Sequence, residues 1–266
     1  ILTKSNPLVF PARPPQKRFH NFNQSGRFTS ACSPAIYRDD HLFDDANVYA
    51  FTCEPFHNLV QRVILKRDGE SFTAERAEPK DDMDFFASED RWCRPVMART
   101  GPDGALWIVD MYRYMIEHPQ WLPAGGKAEM KPFERSGMEY GRIYRVYKDG
   151  KPPRRIPRLD KSSAQELVEH LADSNGIIRD MAHRLLVQRK DVSAANPLIE
   201  MAGTHASAKA RLHALCVLDG LDRLSATLLK VAFRDPHPEI RRHALRLAES
   251  RWGEHPELLK ASVRLA

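Results

Sequence analysis

Over the first 150 positions, apolar residues fall in short runs broken by glycine, proline and aspartate. Val48-Tyr49-Ala50-Phe51-Thr52-Cys53 is compact and rich in β-formers, and the stretch from Asn58 to Leu65 alternates around Leu59, Gln61 and Val63. Alternation of this kind sets one face of a strand against a core and turns the other to water. Arg67-Asp68-Gly69-Glu70 separates that run from Phe72-Thr73-Ala74. Asp-Gly between two such runs predicts a tight hairpin, because both residues tolerate positive φ. Gly101-Pro102-Asp103-Gly104 reads as a second turn feeding a strand over Ala105 to Asp110, and Gly141 to Tyr147 alternates until Asp149-Gly150. The pattern is that of an all-β region.

From Lys151 the period changes. Lys151-Pro152-Pro153-Arg154-Arg155-Ile156-Pro157 predicts a stiff extended linker, spanning about residues 151–158. Ser163-Ala164-Gln165-Glu166 has capping-box spacing and opens a helix with Leu167, Val168 and Leu171 inward. Asp173 to Gly176 breaks it, and a helix over 177–189 follows. The motif Arg179-x-x-Ala182-x-x-Leu185 returns as Arg211-x-x-Ala214-x-x-Val217 and as Arg241-x-x-Ala244-x-x-Leu247, at offsets of 32 and 30 residues. Such offsets suit paired-helix repeats, with the small alanine letting helices approach. Asp235-Pro236-His237-Pro238 predicts a restart with Asp235 as N-cap, and a last helix begins near Pro256.

The fold class expected is therefore mixed: C-terminal blades of a β-propeller over 1–150, then a HEAT-type α-helical solenoid over 159–266. Blades of about 40–50 residues in rings of four to eight make 150 residues about three blades at most. An unclosed ring exposes strand edges. The expectation is that the chain is the middle of a longer polypeptide, the rival being a small self-contained β-domain.

Charge sharpens the division. Residues 1–150 hold 21 basic and 21 acidic side chains, while residues 151–266 hold 20 and 14, which is the whole net charge of +6. Without a base-reading motif or a basic–aromatic module, this excess reads as solvated helical faces with arginines in intra-repeat pairing, and no nucleic acid partner is expected. No apolar run approaches the ~18 residues of a bilayer span, and no targeting leader follows Ile1.

Several motifs carry a family resemblance: Thr29-Ser30-Ala31-Cys32-Ser33-Pro34 with Ile36 to Asp40, Cys53-Glu54-Pro55 with Asn58-Leu59-Val60, and Ala87-Ser88 with Trp92 and Arg94-Pro95-Val96. Gly101 to Arg113, Ile116-Glu117-His118-Pro119 and Gly141 to Val146 extend it. Together they resemble the planctomycete-type membrane-bound dehydrogenases over roughly residues 10–250. The resemblance implies a glucose/sorbosone-dehydrogenase-like propeller that oxidises a sugar-like small molecule outside the cytoplasm, periplasmic or membrane-associated. It further implies pyrroloquinoline quinone with calcium as cofactor, and electrons passed to a haem c domain or a separate cytochrome. This chain has no Cys-x-x-Cys-His, so any c-type haem belongs elsewhere. Gln61 and Cys93 stand where the family often has His and Phe. Cys32 and Cys53 occupy positions where the family commonly carries cysteine, implying a disulfide and an oxidising compartment; two buried free thiols is the alternative. Cys93 and Cys216 read as buried thiols.

Candidate site residues lie at strand ends, where propeller blades converge on a funnel. Glu54, His57, Asn58 and Arg62 surround one strand start; Arg94 sits beside Trp92; Asp110, Arg113, Glu117 and His118 follow another strand. His57 or His118 is the candidate base, oriented by Asp110 or Glu117, while Asn58, Arg62, Arg94 and Arg113 are the candidate donors to a quinone or sugar. The competing reading has the same Asp and Arg side chains capping turns and tying elements together. His170, His183, His213 and His243 are not spaced as a ligand set and read as helix-surface residues. The alternative function is a non-catalytic carbohydrate- or protein-binding propeller with a HEAT-repeat docking surface.

Overall fold

A computed structural model describes residues 7–14, 26–69, 71–79, 82–116, 120, 122 and 124–264. The chain divides into two compact units, Ile1–Arg154 and Arg155–Ala266.

The first unit holds two antiparallel sheets. Strands β1 (Cys32–Ile36), β2 (Val48–Glu54), β3 (Leu59–Asp68) and β4 (Ser71–Arg76) form a meander in sequence order, and the short β5 (Phe86–Ala87) pairs with the start of β3. Strands β6 (Pro95–Thr100), β7 (Leu106–Asp110) and β8 (Arg142–Val146) form the second sheet. The β2–β3 register pairs Tyr49 with Ile64, Phe51 with Arg62 and Cys53 with Val60, so these residues share one face. Phe51, Cys53 and Val60 pack there into one core with Ala98 of β6 and Leu106 and Ile108 of β7. The sheets also meet along β1 and β6, where the Arg38 N–H donates to Thr100 Oγ1 (2.9 Å) and Arg99 Nη1 donates to Ser33 Oγ (2.7 Å).

These sheets do not close into a propeller or a barrel, which corrects the expected fold class. An antiparallel meander with Gly/Asp turns has the same local pattern in a blade and in an open pair of sheets. Here the apolar faces of the two sheets cover each other, so a common core forms without a ring.

The hairpin falls where expected, with its loop one residue later: Asp68 pairs with Ser71, and Gly69 takes φ +56°. At the second turn Gly104 has φ +86°, and a Cβ there would strike the His41 ring. Asp103 stiffens this turn by accepting from the Ala105 N–H (3.1 Å) and from Trp107 Nε1 (3.0 Å). After β7 comes α1 (Ala124–Met130), whose Met130 packs with Met115 and Leu122. The proline-rich segment begins docked on this unit: the Pro152 carbonyl faces His41 Nε2 (2.9 Å), and the Arg154 N–H donates to the Asp103 carbonyl (2.8 Å).

The second unit is helical: α2 (Ala164–His170), α3 (Gly176–Arg189), α4 (Ala195–Thr204), α5 (Ala208–Gly220), α6 (Ala226–Ala232), α7 (Pro238–Glu249) and α8 (Pro256–Val263). Helices α2, α4, α6 and α8 neighbour one another in turn, and α3, α5 and α7 form the opposing layer. The capping box at Ser163 and Glu166 is present, with Leu167, Val168 and Leu171 buried.

The repeated motif lies on α3, α5 and α7, and its alanines, Ala182, Ala214 and Ala244, are fully buried. Its arginines do one job three times, reaching back to the carbonyls five and six residues earlier. Arg179 Nη1 donates to Asp173 and Ser174, Arg211 Nη1 to His205 and Ala206, and Arg241 Nη1 to Asp235 and Pro236, at 2.6–3.1 Å. The N-cap of α7 is His237, whose side chain accepts from the Glu239 N–H, not the expected Asp235. Asp235 instead takes both arms of Arg211, at 2.7 and 2.8 Å. Pro238 starts the helix because proline fits its first turn, which moves the cap to the preceding residue.

Candidate functional site

The turn between β2 and β3 is built around Glu54. Its buried carboxylate accepts from the Thr29 N–H (3.0 Å), the Ser30 N–H (3.0 Å) and the Ser30 hydroxyl (2.6 Å), fixing residues 29–30 to the end of β2. Burial pushes the Glu54 pKa up, but hydrogen bonds from His57 and Ser30 outweigh it and hold the carboxyl below its ordinary range. His57 is also buried. Its Nε2 accepts the Gly26 N–H (3.3 Å), which leaves the ring proton on Nδ1, 3.5 Å from Glu54 Oε1. Both nitrogens thus face protein groups.

Asn58 closes the turn with φ +60°, a conformation asparagine tolerates better than most side chains. Its Nδ2 donates to the carbonyls of Cys93 (2.5 Å) and Arg91 (3.2 Å). Arg94 spreads over two loops: Nη1 donates to the carbonyls of Pro55 (3.0 Å) and Phe56 (3.3 Å), Nε to Arg113 (2.9 Å) and Nη2 to Tyr114 (2.9 Å). A guanidinium is always charged and carries five donors in a fixed fork, which suits it to gathering carbonyls that would otherwise lie buried and unpaired.

Asp110 ends β7 and is buried. Its Oδ1 accepts from the N–H groups of Arg94 (2.7 Å) and Tyr112 (2.8 Å), while Oδ2 lies 3.4 Å from the Tyr144 hydroxyl and 3.5 Å from Arg142 Nε. Burial and the neighbouring Asp110 push the Cys93 thiol up to about 12. Burial raises the Tyr144 phenol to about 12, with Cys93 adding to it.

Asn58, Arg94, Asp110 and Arg113 therefore do meet, at one junction of the two sheets. Arg62 does not join them. It points into the core face of β3, its guanidinium 4.9–5.0 Å from the ring centres of Phe43, Tyr49 and Phe85, with Nε on Glu78 (2.9 Å). Glu117 and His118 lie outside the described residues. Cys32 and Cys53 are direct cross-strand partners in the β1–β2 register and stand as thiols. Burial, with Cys32 adding, pushes the Cys53 thiol up to about 12.

Pyrroloquinoline quinone with calcium would need donors with open valence. The polar side chains of Asn58, Arg62, Arg94 and Asp110 are already engaged by carbonyls, N–H groups and Glu78. Among the described residues no group of three or more His, Cys, Asp or Glu is placed to hold a metal. These residues do not fit that cofactor.

What the junction does present outward is aromatic. Arg94 and Asp110 fix the loop after β7, and Trp92, Tyr112, Tyr114, Phe133 and Tyr140 line up across it. Ring centres are 5.7 Å apart for Trp92–Tyr112, 5.1 Å for Trp92–Tyr114, 6.2 Å for Tyr112–Tyr140 and 5.1 Å for Tyr114–Phe133. Phe133 is 42% and Tyr140 67% exposed, and the other three are half-buried. Arg142 stacks over Tyr112 at 4.0 Å.

Tyr112 has φ +51°, which costs a bulky residue energy. The Asp110–Tyr112 hydrogen bond and two cross-links, Met111 N–H to Arg94 carbonyl and Arg113 N–H to Trp92 carbonyl (both 2.9 Å), hold it there. Gly137, at φ +95°, packs against the Tyr112 carbonyl, where a Cβ would come within 2.4 Å. Of this strip, Trp92 and Tyr112 fall within motifs that carry the family resemblance, and sequence pattern singles out none of the rings as a site residue. The signal available was the spacing of Tyr112 and Tyr114 in a post-strand loop, just where a strand's alternation no longer explains them.

A profile for a domain of unknown function, DUF7133, matches residues 2–150, more than half of the chain, and the chain belongs to that family. No curated protein and no solved structure matches it.

Proposed function

We propose that the sheet unit is a carbohydrate-binding module whose ligand stacks on the strip formed by Trp92, Tyr112, Tyr114 and Tyr140. The observation that carries this reading is the backbone of Tyr112: a left-handed tyrosine, fixed by a buried aspartate, at the centre of a chain of partly exposed rings. Local strain concentrates where a side chain must be aimed, and here it sets a half-buried ring between Trp92 and Tyr140, with Arg142 over one face. Aromatic faces offer apolar area with little rotamer entropy to lose, suited to the C–H faces of pyranose rings. Arg113 supplies hydrogen-bond donors beside the strip, since among the described residues its Nη1 alone contacts carbonyls, those of Met111 and Tyr112 at 3.4 and 3.2 Å.

In this reading His57, Asp110 and Arg94 position the loops and touch no substrate. The test is a glycan array probed with the full chain, followed by titration of the best ligand against Trp92→Ala and Tyr140→Ala. Each stacking ring is expected to contribute about 1–3 kcal/mol, by analogy with base stacking on aromatic side chains. Binding therefore falls by about fivefold or more in each variant while the circular dichroism spectrum stays unchanged. Absence of glycan binding, or binding indifferent to both substitutions, contradicts the proposal.

A further inference from the structure

Histidines recur every 30 residues through the second layer of the helical unit, as His183 on α3, His213 on α5 and His243 on α7. Their sequence spacing is not that of a ligand set and predicts helix-surface residues that do not meet a common ligand. The first two nevertheless meet: His183 Nδ1 and His213 Nδ1 are 3.1 Å apart, with the rings edge to face. Two facing ring nitrogens can share a single proton; with the ring centres 5.4 Å apart they point at each other nearly head-on, and a turn of both side chains would bring their lone pairs to one point between α3 and α5. A tetrahedral ion with Zn–N distances of 2.0–2.1 Å would separate two of its nitrogens by about 3.3 Å, close to the spacing already present.

The outer nitrogen of His213 lies 3.9 Å from Asp180 Oδ1. A carboxylate behind a ligating imidazole favours the tautomer whose opposite nitrogen is free to bind metal. Burial also lowers the His183 pKa, which favours the neutral form that ligates. Both rings are partly exposed, so an ion can enter and water can complete its shell.

We propose that His183 and His213 form a two-histidine chelate for a borderline divalent transition metal, Zn2+ or Cu2+, that staples α3 to α5. Binding replaces the shared N–H···N contact by two metal–nitrogen bonds. The proton between the rings moves to Nε2 of the ring that carried it, so neutral rings release none. Ions of this class prefer imidazole, and the order of affinity places Cu2+ above Zn2+.

The test is calorimetric titration of the full chain with ZnCl2 and with CuCl2 in a non-coordinating buffer, repeated on His183→Ala, His213→Ala and, as a control, His170→Ala. Thermal unfolding of the helical signal is followed with and without metal. The expected result is saturable binding that raises the melting temperature and weakens about tenfold or more in either ligand variant, an effect at least as large as losing an outer-shell partner. Asp180→Asn weakens it less, and His170→Ala leaves it unchanged. Binding should also fade below about pH 6 as protons compete for the rings. Should one ligand variant fail to show the native helical spectrum, His213→Gln replaces it. Uptake that is absent with both ions, or that persists in the ligand variants, overturns the proposal.

Discussion

The two units solve the same problem with different materials. The helical unit is held by a continuous aliphatic layer from Leu159 through Leu258, with capped helices and one arginine clamp repeated three times. The sheet unit has a smaller apolar core and binds its loops with buried polar side chains: Glu54 gathers residues 29–30, Arg94 gathers 55–56 and 113–114, and Asp110 fixes 94 and 112. An apolar layer tolerates partial loss, because neighbours relax into the gap. A charged hub does not, since removing it strands several buried groups at once. The sheet unit should therefore be the brittle one, and the difference also explains why the candidate acid–base residues sit where they do.

The largest effect is expected from Arg94→Ala, which abandons carbonyls on two loops and should destabilise the sheet unit by about 3–5 kcal/mol. Arg94→Lys should recover little, because an ammonium lacks the planar fork. Urea unfolding in a Trp252→Phe background, where tryptophan fluorescence reports the sheet unit and circular dichroism the helices, checks both. Leu215→Ala, in the middle of α5, should cost the helical unit about 2–5 kcal/mol while leaving the sheet transition in place. If Arg94→Ala costs less than Leu215→Ala, the contrast fails.

Oxidation sharpens it further. A Cys32–Cys53 bridge would close a loop of some twenty residues and add about 3 kcal/mol to the sheet unit alone in the chain-entropy account. Mild oxidant should remove two titratable thiols, with a mass loss of two hydrogens on one Cys32–Cys53 peptide pair. Retention of all four thiols, or a pair involving Cys93, contradicts this.

Acid should also weaken the sheet unit. The folded Glu54 carboxyl lies below its ordinary range, so its contribution is fully present above the unfolded pKa of about 4.3 and is lost as pH falls through the lower folded value. Glu54→Gln should flatten that acid limb of the fluorescence transition.

The smallest effect is a gain. His205 stands where the neighbouring repeats carry Asp173 and Asp235, and all three side chains accept the N–H two residues on, at 2.8–3.0 Å. Asp235 alone of the three is recorded holding an arginine from the preceding repeat, Arg211. His205→Asp offers Arg179 the same arrangement and should raise helical stability by about 0.5–1 kcal/mol.

Much of this architecture can be read from local pattern. Asp68-Gly69, Gly101 to Gly104 and the Ser163–Glu166 box are short-range signals, and each structure they predict forms. Strands β1 and β6 escaped because Pro34 and Pro95 interrupt or open them, and α1 because two of its seven residues are glycine. The wheel-like architecture failed for a different reason, since closure is a property of how sheets pack and local alternation carries no information on it. The meeting of Asn58, Arg94, Asp110 and Arg113 was legible as residues flanking turns. Whether their donors and acceptors are spent is not, because the partners are backbone atoms contributed by distant loops.

The decisive variant is Tyr112→Gly. Glycine adopts φ +51° without penalty, so this variant removes the ring and its strain while keeping the backbone that Asp110 and Gly137 shape. The expected result is a melting temperature equal to or above that of the parent chain, with glycan binding weakened about fivefold or more. Glycan binding unchanged in a stably folded Tyr112→Gly protein would contradict it.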